Sequence, residues 1–215
     1  MIPKGEFTRG LWRSIEPVYE ELINHPFVTM LAKGTLPKNS FTHYLSQDVL
    51  YLKDDAVAFM NLSKRVDNAS EKEFFKLMAD DTIVLEQDLH THFLTHFNVV
   101  EAKRKSPAIE AYTSFLLHHS TESSYKIAAA ALLPCFWVYS SVGKSIVNQS
   151  ANNNIYQKWI DTYKGGEYVE YTNRFIEIVE AYGNDATEDE KIMMQEAFME
   201  ATKLELAFFE ESLLK

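Results

Sequence analysis

The sequence predicts an all-α protein, a single-domain multi-helix bundle over residues 1–215. Three observations favour this class. No long segment alternates polar and apolar residues with a period of two, so no strand is predicted. Apolar residues instead recur at the three- and four-residue spacing of amphipathic helices. The chain has seven glycines and six prolines, and most of them stand where helices are expected to begin or end.

Eight or nine helices are predicted, with expected ranges 6–24, 26–33, 38–66, 71–97, 107–120, 123–150, 154–163, 166–182 and 188–214. Pro26, Pro37 and Pro107 stand at expected first turns, where the N–H that proline lacks would have no helical partner. Residues 70–73 and 187–190 match the capping box, in which Ser or Thr is followed three residues later by Glu. These signals define where five of the helices should start.

Two further residues mark an end and a bend. Gly183 is expected to cap the C-terminal end of the 166–182 helix, because glycine adopts the left-handed conformation of that position without strain. Pro134 lies inside the 123–150 helix and removes a backbone donor, which predicts a kink there. No internal repeat, low-complexity tract or linker interrupts the pattern, so one domain is expected.

Charge and apolar content limit the possible functions. Hydrophobic residues make up 46% of the chain, which is ample for one core. The net charge of −10 disfavours binding to nucleic-acid phosphates. The first residues contain no apolar signal core, and no stretch approaches the roughly 20 apolar residues of a membrane span. We therefore expect a soluble, cytoplasmic protein without a nucleic-acid or membrane partner.

Three predicted helices each direct a reactive side chain toward the core. On the 38–66 helix, Asp48 and Asp55 occupy missing steps of an apolar stripe, although the acidic pair at 54–55 is more simply interpreted as a solvated face. Glu205 takes a core position on the last helix, and Cys135 lies on an apolar face of the 123–150 helix. Burying an unpaired carboxylate is unfavourable, so the inward acids need a partner or a function.

Each candidate also has a structural interpretation. Asp48 could cap a helix or pair with a buried cation. Cys135, the sole cysteine, could be a buried small hydrophobe, a surface thiol or a nucleophile. Burial would raise the pKa of Glu205 toward neutrality, which suits a general acid. Four tyrosines could fill the core, or could bind a flat heteroaromatic ligand through their faces and hydroxyls: Tyr51, Tyr112, Tyr139 and Tyr163.

Histidine spacing gives little support for a metal site. Glu86 and His90 are four residues apart, as are His92 and His96. A carboxylate-bridged di-iron bundle requires a Glu-x-x-His pair on each of two helices, and this spacing occurs nowhere in the chain. The sequence therefore predicts no metal and no cofactor.

Several motifs, in order and at matching distances, resemble the TenA family, also called thiaminase II or aminopyrimidine aminohydrolase. They are His-Pro-Phe-Val at 25–28, Gly-Thr-Leu-Pro at 34–37, Phe-x-x-Tyr-Leu-x-Gln-Asp-x-x-Tyr-Leu at 41–52, Tyr-Thr-Ser at 112–114, Ala-Ala-Leu-Leu-Pro-Cys-x-Trp-x-Tyr at 130–139 and Tyr-x-Lys-Trp-Ile-x-Thr-Tyr at 156–163. The resemblance covers nearly the whole chain. It implies a fold like that of haem oxygenase, without haem, assembled as a homotetramer.

The resemblance also implies a reaction and roles for the site residues. The reaction is hydrolysis of an aminomethyl-pyrimidine derived from thiamin to the hydroxymethyl-pyrimidine, with release of ammonia, and members also cleave thiamin. Cys135 matches the family nucleophile, Glu205 the acid near the departing amine, and Asp48 the acid that binds the aminopyrimidine edge. Pocket positions that stack on or hydrogen-bond the substrate match Tyr51, Tyr112, Tyr139 and Tyr163.

The chain departs from the family pattern near Glu205. Family members often carry Tyr-Glu-Tyr there, whereas Leu204 and Leu206 flank the glutamate in this chain, and Phe136 replaces a frequent tyrosine. These changes affect the pocket for the leaving group and hence the preferred substrate. Two rival hypotheses are a helical di-iron oxygenase on a related scaffold and a non-catalytic pyrimidine-binding or regulatory protein.

Overall fold

The computed structural model describes residues 2–88, 95–97, 99–100, 102–147, 149–162 and 166–213, and every regular element among them is a helix. The helices are α1 (Glu6–Asn24), α2 (Pro26–Ala32), α3 (Lys38–Arg65), α4 (Ala69–Asp88), α5 (Thr95–Phe97), α6 (Pro107–Glu122), α7 (Tyr125–Leu132), α8 (Pro134–Val147), α9 (Gln157–Thr162), α10 (Gly166–Asn184) and α11 (Glu188–Leu213). The predicted all-α class is confirmed.

Two long helices, α3 and α11, organise the bundle. Helix α3 packs on α4 and α6, while α11 packs on α7, α1 and α6. Helix α7 contacts α11, α6, α3 and α10, and the four alanines at 128–131 are completely buried within it. Small side chains allow helices to approach closely, so α7 can occupy the centre of the bundle. The candidate residues of α3, α6, α8 and α11 are held around it.

The helix predicted at 123–150 is interrupted where Pro134 predicts a kink. Helix α7 ends at Leu132 and α8 begins at Pro134. The backbone N–H groups of Phe136 and Trp137 both donate to the carbonyl of Leu133, at 3.1 and 2.9 Å. Because proline has no N–H, the series of helical hydrogen bonds is interrupted here and begins again in α8. The break places Cys135 in the first turn of α8.

The segment Tyr125–Val147 is long and apolar enough to cross a membrane, judged by length and composition alone. The expectation that no such stretch exists is therefore wrong. Of its most apolar window, 94% is buried inside the protein. Burial of this extent is typical of the core helix of a globular bundle, in which the apolar side chains face other helices.

The start of α1 docks on the end of α10. Glu180 of α10 accepts hydrogen bonds at 2.8 Å from both the backbone N–H and the hydroxyl of Thr8. Gly183 does not cap α10, because the helix continues to Asn184. A Cβ at Gly183 would lie 2.1 Å from the ring of Phe7. The glycine is thus required for close packing of two helices and not for a helix end.

The two predicted capping boxes have different outcomes. Thr187 and Glu190 cap α11 reciprocally, since the backbone N–H of Thr187 donates to the Glu190 carboxylate at 2.9 Å and the N–H of Glu190 donates to the Thr187 hydroxyl at 3.2 Å. Helix α4 starts earlier than predicted, and the side-chain oxygen of Asn68 accepts from the N–H groups of Ser70 and Glu71. Asparagine is as good an N-cap as serine, and it is the residue used here.

Candidate active site

The thiol of Cys135 is half-buried between α8, α7 and α3. Its sulfur donates a hydrogen bond to the backbone carbonyl of Leu132 at 2.9 Å, and Sγ lies 3.9 Å from Oδ1 of Asp55. The hydroxyl of Tyr168 donates to the Cys135 carbonyl at 3.1 Å. These contacts fix both the backbone and the side chain of the cysteine.

Asp55 is a further site residue, and the interpretation of the acidic pair at 54–55 as a solvated face is wrong for it. Its side chain is 2% exposed, and its Oδ1 accepts a hydrogen bond from the Tyr51 hydroxyl at 3.5 Å. Its neighbour Asp54 is instead half-buried and forms an ion pair with Lys105. Consecutive helical residues point about 100° apart, so one acid reaches a lysine while the other enters the core. The missing step in the apolar stripe was the signal of this burial.

Asp48 lies two helical turns before Asp55 on α3 and is partly buried. Burial raises its pKa from 3.8 to about 7. Among the described residues, no lysine or arginine forms an ion pair with Asp48, Asp55 or Glu205. The part of the chain that the structure describes therefore provides no buried cation that would make Asp48 part of a structural ion pair.

Glu205 projects from α11 and is 1% exposed. The Tyr112 hydroxyl of α6 donates to its Oε1 at 2.6 Å, and the Tyr139 hydroxyl of α8 also hydrogen-bonds to the carboxyl group. Burial raises the pKa of Glu205 from 4.5 to about 8, and the nearby charges of Asp55 and Asp48 act in the same direction. Glu205 is consequently a carboxylic acid that retains its proton at neutral pH.

Tyrosine side chains surround these acids. The rings of Tyr51 and Tyr112 are 4.9 Å apart and tilted by 41°. The hydroxyl of Tyr139 is 3.2 Å from that of Tyr44, a residue that the sequence analysis did not select although it lies in the 41–52 motif. Tyr163, the fourth selected tyrosine, lies outside the described residues, as do His90 and His92.

The electrostatic environment keeps Cys135 in its thiol form. Burial raises the pKa of the thiol well above its usual value, and the charges of Asp55 and Glu205 raise it further. Burial also raises the pKa of Asp55 from 3.8 to about 8, against the opposing effect of the hydrogen bond from Tyr51. The arrangement can supply a nucleophilic sulfur, proton donors and a proton acceptor within one buried cluster.

Comparison with known proteins shows which family the sequence matches. Residues 12–215 match the TENA/THI-4/PQQC family. The chain is 31% identical over 213 residues to the thiamine biosynthesis multifunctional protein ThiED of Corynebacterium efficiens, a match that covers 99% of this chain and 29% of that protein. It thus spans less than a third of that multifunctional relative. It is also 32% identical over 194 residues to the aminopyrimidine aminohydrolase of Bacillus subtilis, covering 86% of this chain and 80% of that protein.

A solved structure shares the fold. The TenA homologue from Pyrococcus furiosus superposes with a TM-score of 0.91 over 96% of this chain and 100% of that one, at 20% sequence identity. Because the family match extends over almost the entire sequence, and the fold agrees along the same length, this chain belongs to the TENA/THI-4/PQQC family.

Proposed function

We propose that this protein is an aminopyrimidine aminohydrolase of thiamin salvage, with thiaminase II activity on thiamin. It converts 4-amino-5-aminomethyl-2-methylpyrimidine to the 5-hydroxymethyl pyrimidine and releases ammonia. One observation carries the proposal: a cysteine thiol and three buried or partly buried carboxyl groups converge from α3, α8 and α11 among tyrosines. The hydrolase names of relatives such as that of Bacillus subtilis support the reaction class.

Cys135 acts as the nucleophile. An amine on an exocyclic methylene is a poor leaving group, so direct displacement by water is slow. Addition of the sulfur to the electron-poor pyrimidine ring breaks aromaticity and pushes electrons out through the methylene, which expels the amine. Water then adds to the methylene, the carbon–sulfur bond breaks and the ring recovers its aromaticity. No redox step occurs, so the reaction needs no redox cofactor.

Glu205 acts as the general acid. Its raised pKa of about 8 keeps the carboxyl protonated at neutral pH, so it can protonate the departing nitrogen. The ionised carboxylate that results can then accept a proton from the attacking water. The hydrogen bond of 2.6 Å from Tyr112 orients the carboxyl group throughout these transfers.

Asp48 binds the aminopyrimidine edge in this proposal. With a pKa of about 7, it can share a proton with a ring nitrogen as the ring gains electron density. Tyr51, Tyr112, Tyr139 and Tyr163 stack on or hydrogen-bond the substrate. The assembly as a homotetramer and the cytoplasmic location rest on the family resemblance alone and belong to the same proposal.

Turnover of three compounds tests the proposal: the aminomethyl-pyrimidine, its formylated precursor and thiamin. The purified protein is incubated with each compound, products are identified by mass spectrometry, and ammonia is measured in parallel. We expect the hydroxymethyl product and stoichiometric ammonia from the aminomethyl-pyrimidine. Cys135→Ala should abolish turnover while the melting temperature shows that the fold is retained.

Several outcomes would contradict the proposal. Undiminished turnover by Cys135→Ala would exclude the covalent mechanism. Saturable binding of the pyrimidine without any turnover would indicate the binding or regulatory alternative. Stoichiometric bound iron, with activity that depends on it, would indicate the oxygenase alternative instead.

A further inference from the structure

Asp55 is a buried carboxyl group to which the proposed reaction assigns no role. Its side chain is 2% exposed, and no described lysine or arginine neutralises it. The side-chain contacts found for it are with Tyr51 of the preceding turn and with the thiol of Cys135. Burying an acid here without a cationic partner lowers the stability of the fold. A role in the reaction would explain its presence.

The thiol of Cys135 needs a proton acceptor before it can attack. The carbonyl of Leu132, at 2.9 Å from Sγ, accepts a hydrogen bond from the thiol but would repel a thiolate. Burial of the thiol and the neighbouring charges of Asp55 and Glu205 also disfavour the thiolate, because they raise the pKa of Cys135. The sulfur therefore rests as a thiol, and the described residues place no cation against it that would favour the thiolate.

Asp55 is the carboxyl group positioned to accept that proton. Its Oδ1 is 3.9 Å from Sγ, and long catalytic hydrogen bonds of this kind shorten in the substrate complex. With a pKa of about 8, Asp55 is ionised in only a fraction of the molecules at neutral pH, and this ionised form is the proton acceptor. The thiol hydrogen can turn from the Leu132 carbonyl to Asp55 by rotation about the Cβ–Sγ bond, without movement of a heavy atom. Glu205 is already hydrogen-bonded to Tyr112 and must hold its own proton for the leaving amine.

We infer, on the basis of the proposed function, that Asp55 is the general base that deprotonates Cys135. As the sulfur–carbon bond forms, the thiol proton passes to Asp55 Oδ1 and the departing amine takes a proton from Glu205. When water adds to the methylene, Glu205 takes a proton from that water. The carbon–sulfur bond then breaks, its electron pair goes to sulfur, and Asp55 returns the proton to Sγ, so both acids regain their starting states.

Tyr51 assists this transfer. Its hydroxyl favours the charged form of Asp55 and also the charged form of the thiol. Its single hydrogen can serve either partner, so negative charge is stabilised on whichever group lacks the proton. The other titratable groups that act on this pair are Asp48 of the same helix and Glu205 of α11.

The first test compares Asp55→Asn with Asp54→Asn, the same chemical change on the adjacent residue, which is half-buried and pairs with Lys105 away from the thiol. Asp55→Asn should lower kcat for the aminomethyl-pyrimidine by about 100-fold or more, with KM nearly unchanged. The acid limb of the pH–rate profile should then no longer follow the titration of Asp55 but that of the thiol, since the remaining rate depends on thiolate formed by solvent. Added formate should restore part of the rate of Asp55→Ala.

A loss of activity with an unchanged acid limb and no rescue by formate would show that Asp55 only supports the site. Activity of Asp55→Asn within twofold of the wild type would likewise overturn the inference. The isosteric amide is expected to fold, because it replaces a buried titratable acid by a neutral group of nearly the same volume. Its melting temperature should equal or exceed that of the wild type, and Asp54→Asn should retain wild-type kcat.

A second measurement does not depend on turnover. Cys135 is the sole cysteine, so iodoacetamide labelling reports on this thiol alone. In the wild type, the pH dependence of the alkylation rate should show the coupled titration of Asp55 and Cys135, and Asp55→Asn should leave a single titration at lower pH. An unchanged profile in Asp55→Asn would overturn the inference even if pyrimidine turnover is observed. A changed profile without turnover would sustain the proton-acceptor role and reject the proposed substrate.

Discussion

Replacing Glu205 by glutamine should make the stability of the protein less dependent on pH. Glu205 is 1% exposed and accepts a hydrogen bond from Tyr112 at 2.6 Å. Glutamine has nearly the same volume, and its side-chain oxygen can accept the same hydrogen bond. The substitution therefore removes the titration of a buried acid and leaves the packing intact.

The size of the effect follows from the pKa of Glu205, which burial raises from 4.5 to about 8. A carboxyl group whose pKa is higher in the folded state binds protons more tightly there than in the unfolded chain. Below pH 4.5 both states are protonated and the group has no effect on stability. Between pH 4.5 and a pH of about 8, the free energy of unfolding falls by about 1.4 kcal/mol per pH unit. From pH 5 to pH 8, this amounts to about 3.5 kcal/mol, because the dependence flattens near each pKa.

Urea unfolding at several pH values across that range, at one protein concentration, measures the effect. Wild-type stability should fall steeply with rising pH, because Asp48 and Asp55 also have raised pKa values. Between pH 5 and pH 8, the free energy of unfolding of Glu205→Gln should fall by about 3.5 kcal/mol less than that of the wild type. Glu196→Gln, an exposed change on the same helix, should keep the wild-type slope. Parallel curves for the wild type and Glu205→Gln would refute the assignment of a buried, protonated acid.

Three further predictions concern single side chains. Tyr112→Phe removes a hydrogen bond that lowers the pKa of Glu205, so kcat should fall by about tenfold and the alkaline limb of the pH–rate profile should move to higher pH. Glu180→Gln weakens the acceptor of two hydrogen bonds from the start of α1 and should lower the free energy of unfolding in urea by about 1–2 kcal/mol. Phe59→Ala empties a completely buried ring position and should lower that free energy by about 3–5 kcal/mol, whereas Ile192→Ala at an exposed position should change it by less than about 0.5 kcal/mol.

Helix positions were predictable wherever the signal is local. The predicted 6–24 range and the observed α1 agree at both ends, and Thr187 caps α11 as its sequence indicates. The capping box at 187–190 acts within four residues, so its effect does not depend on distant packing. At 70–73 a competing local signal, Asn68, caps the helix instead. Gly183 has the same local signature as a helix end, but the ring of Phe7 requires a glycine there for packing. That requirement is invisible in the sequence, because the ring comes from a distant part of the chain.

Helical periodicity by itself determined that Asp48, Cys135 and Glu205 face the interior of an all-α protein. It also put Asp55, and not Asp54, on the apolar stripe, but it could not exclude a solvated acidic pair at 54–55, since the direction of the core depends on neighbouring helices. Tertiary structure decided this: Lys105 forms an ion pair with the half-buried Asp54, whereas Asp55 is buried with Cys135 Sγ 3.9 Å from its Oδ1. Distances between side chains on different helices depend on the rotation and spacing of those helices, which are set by packing over the whole core.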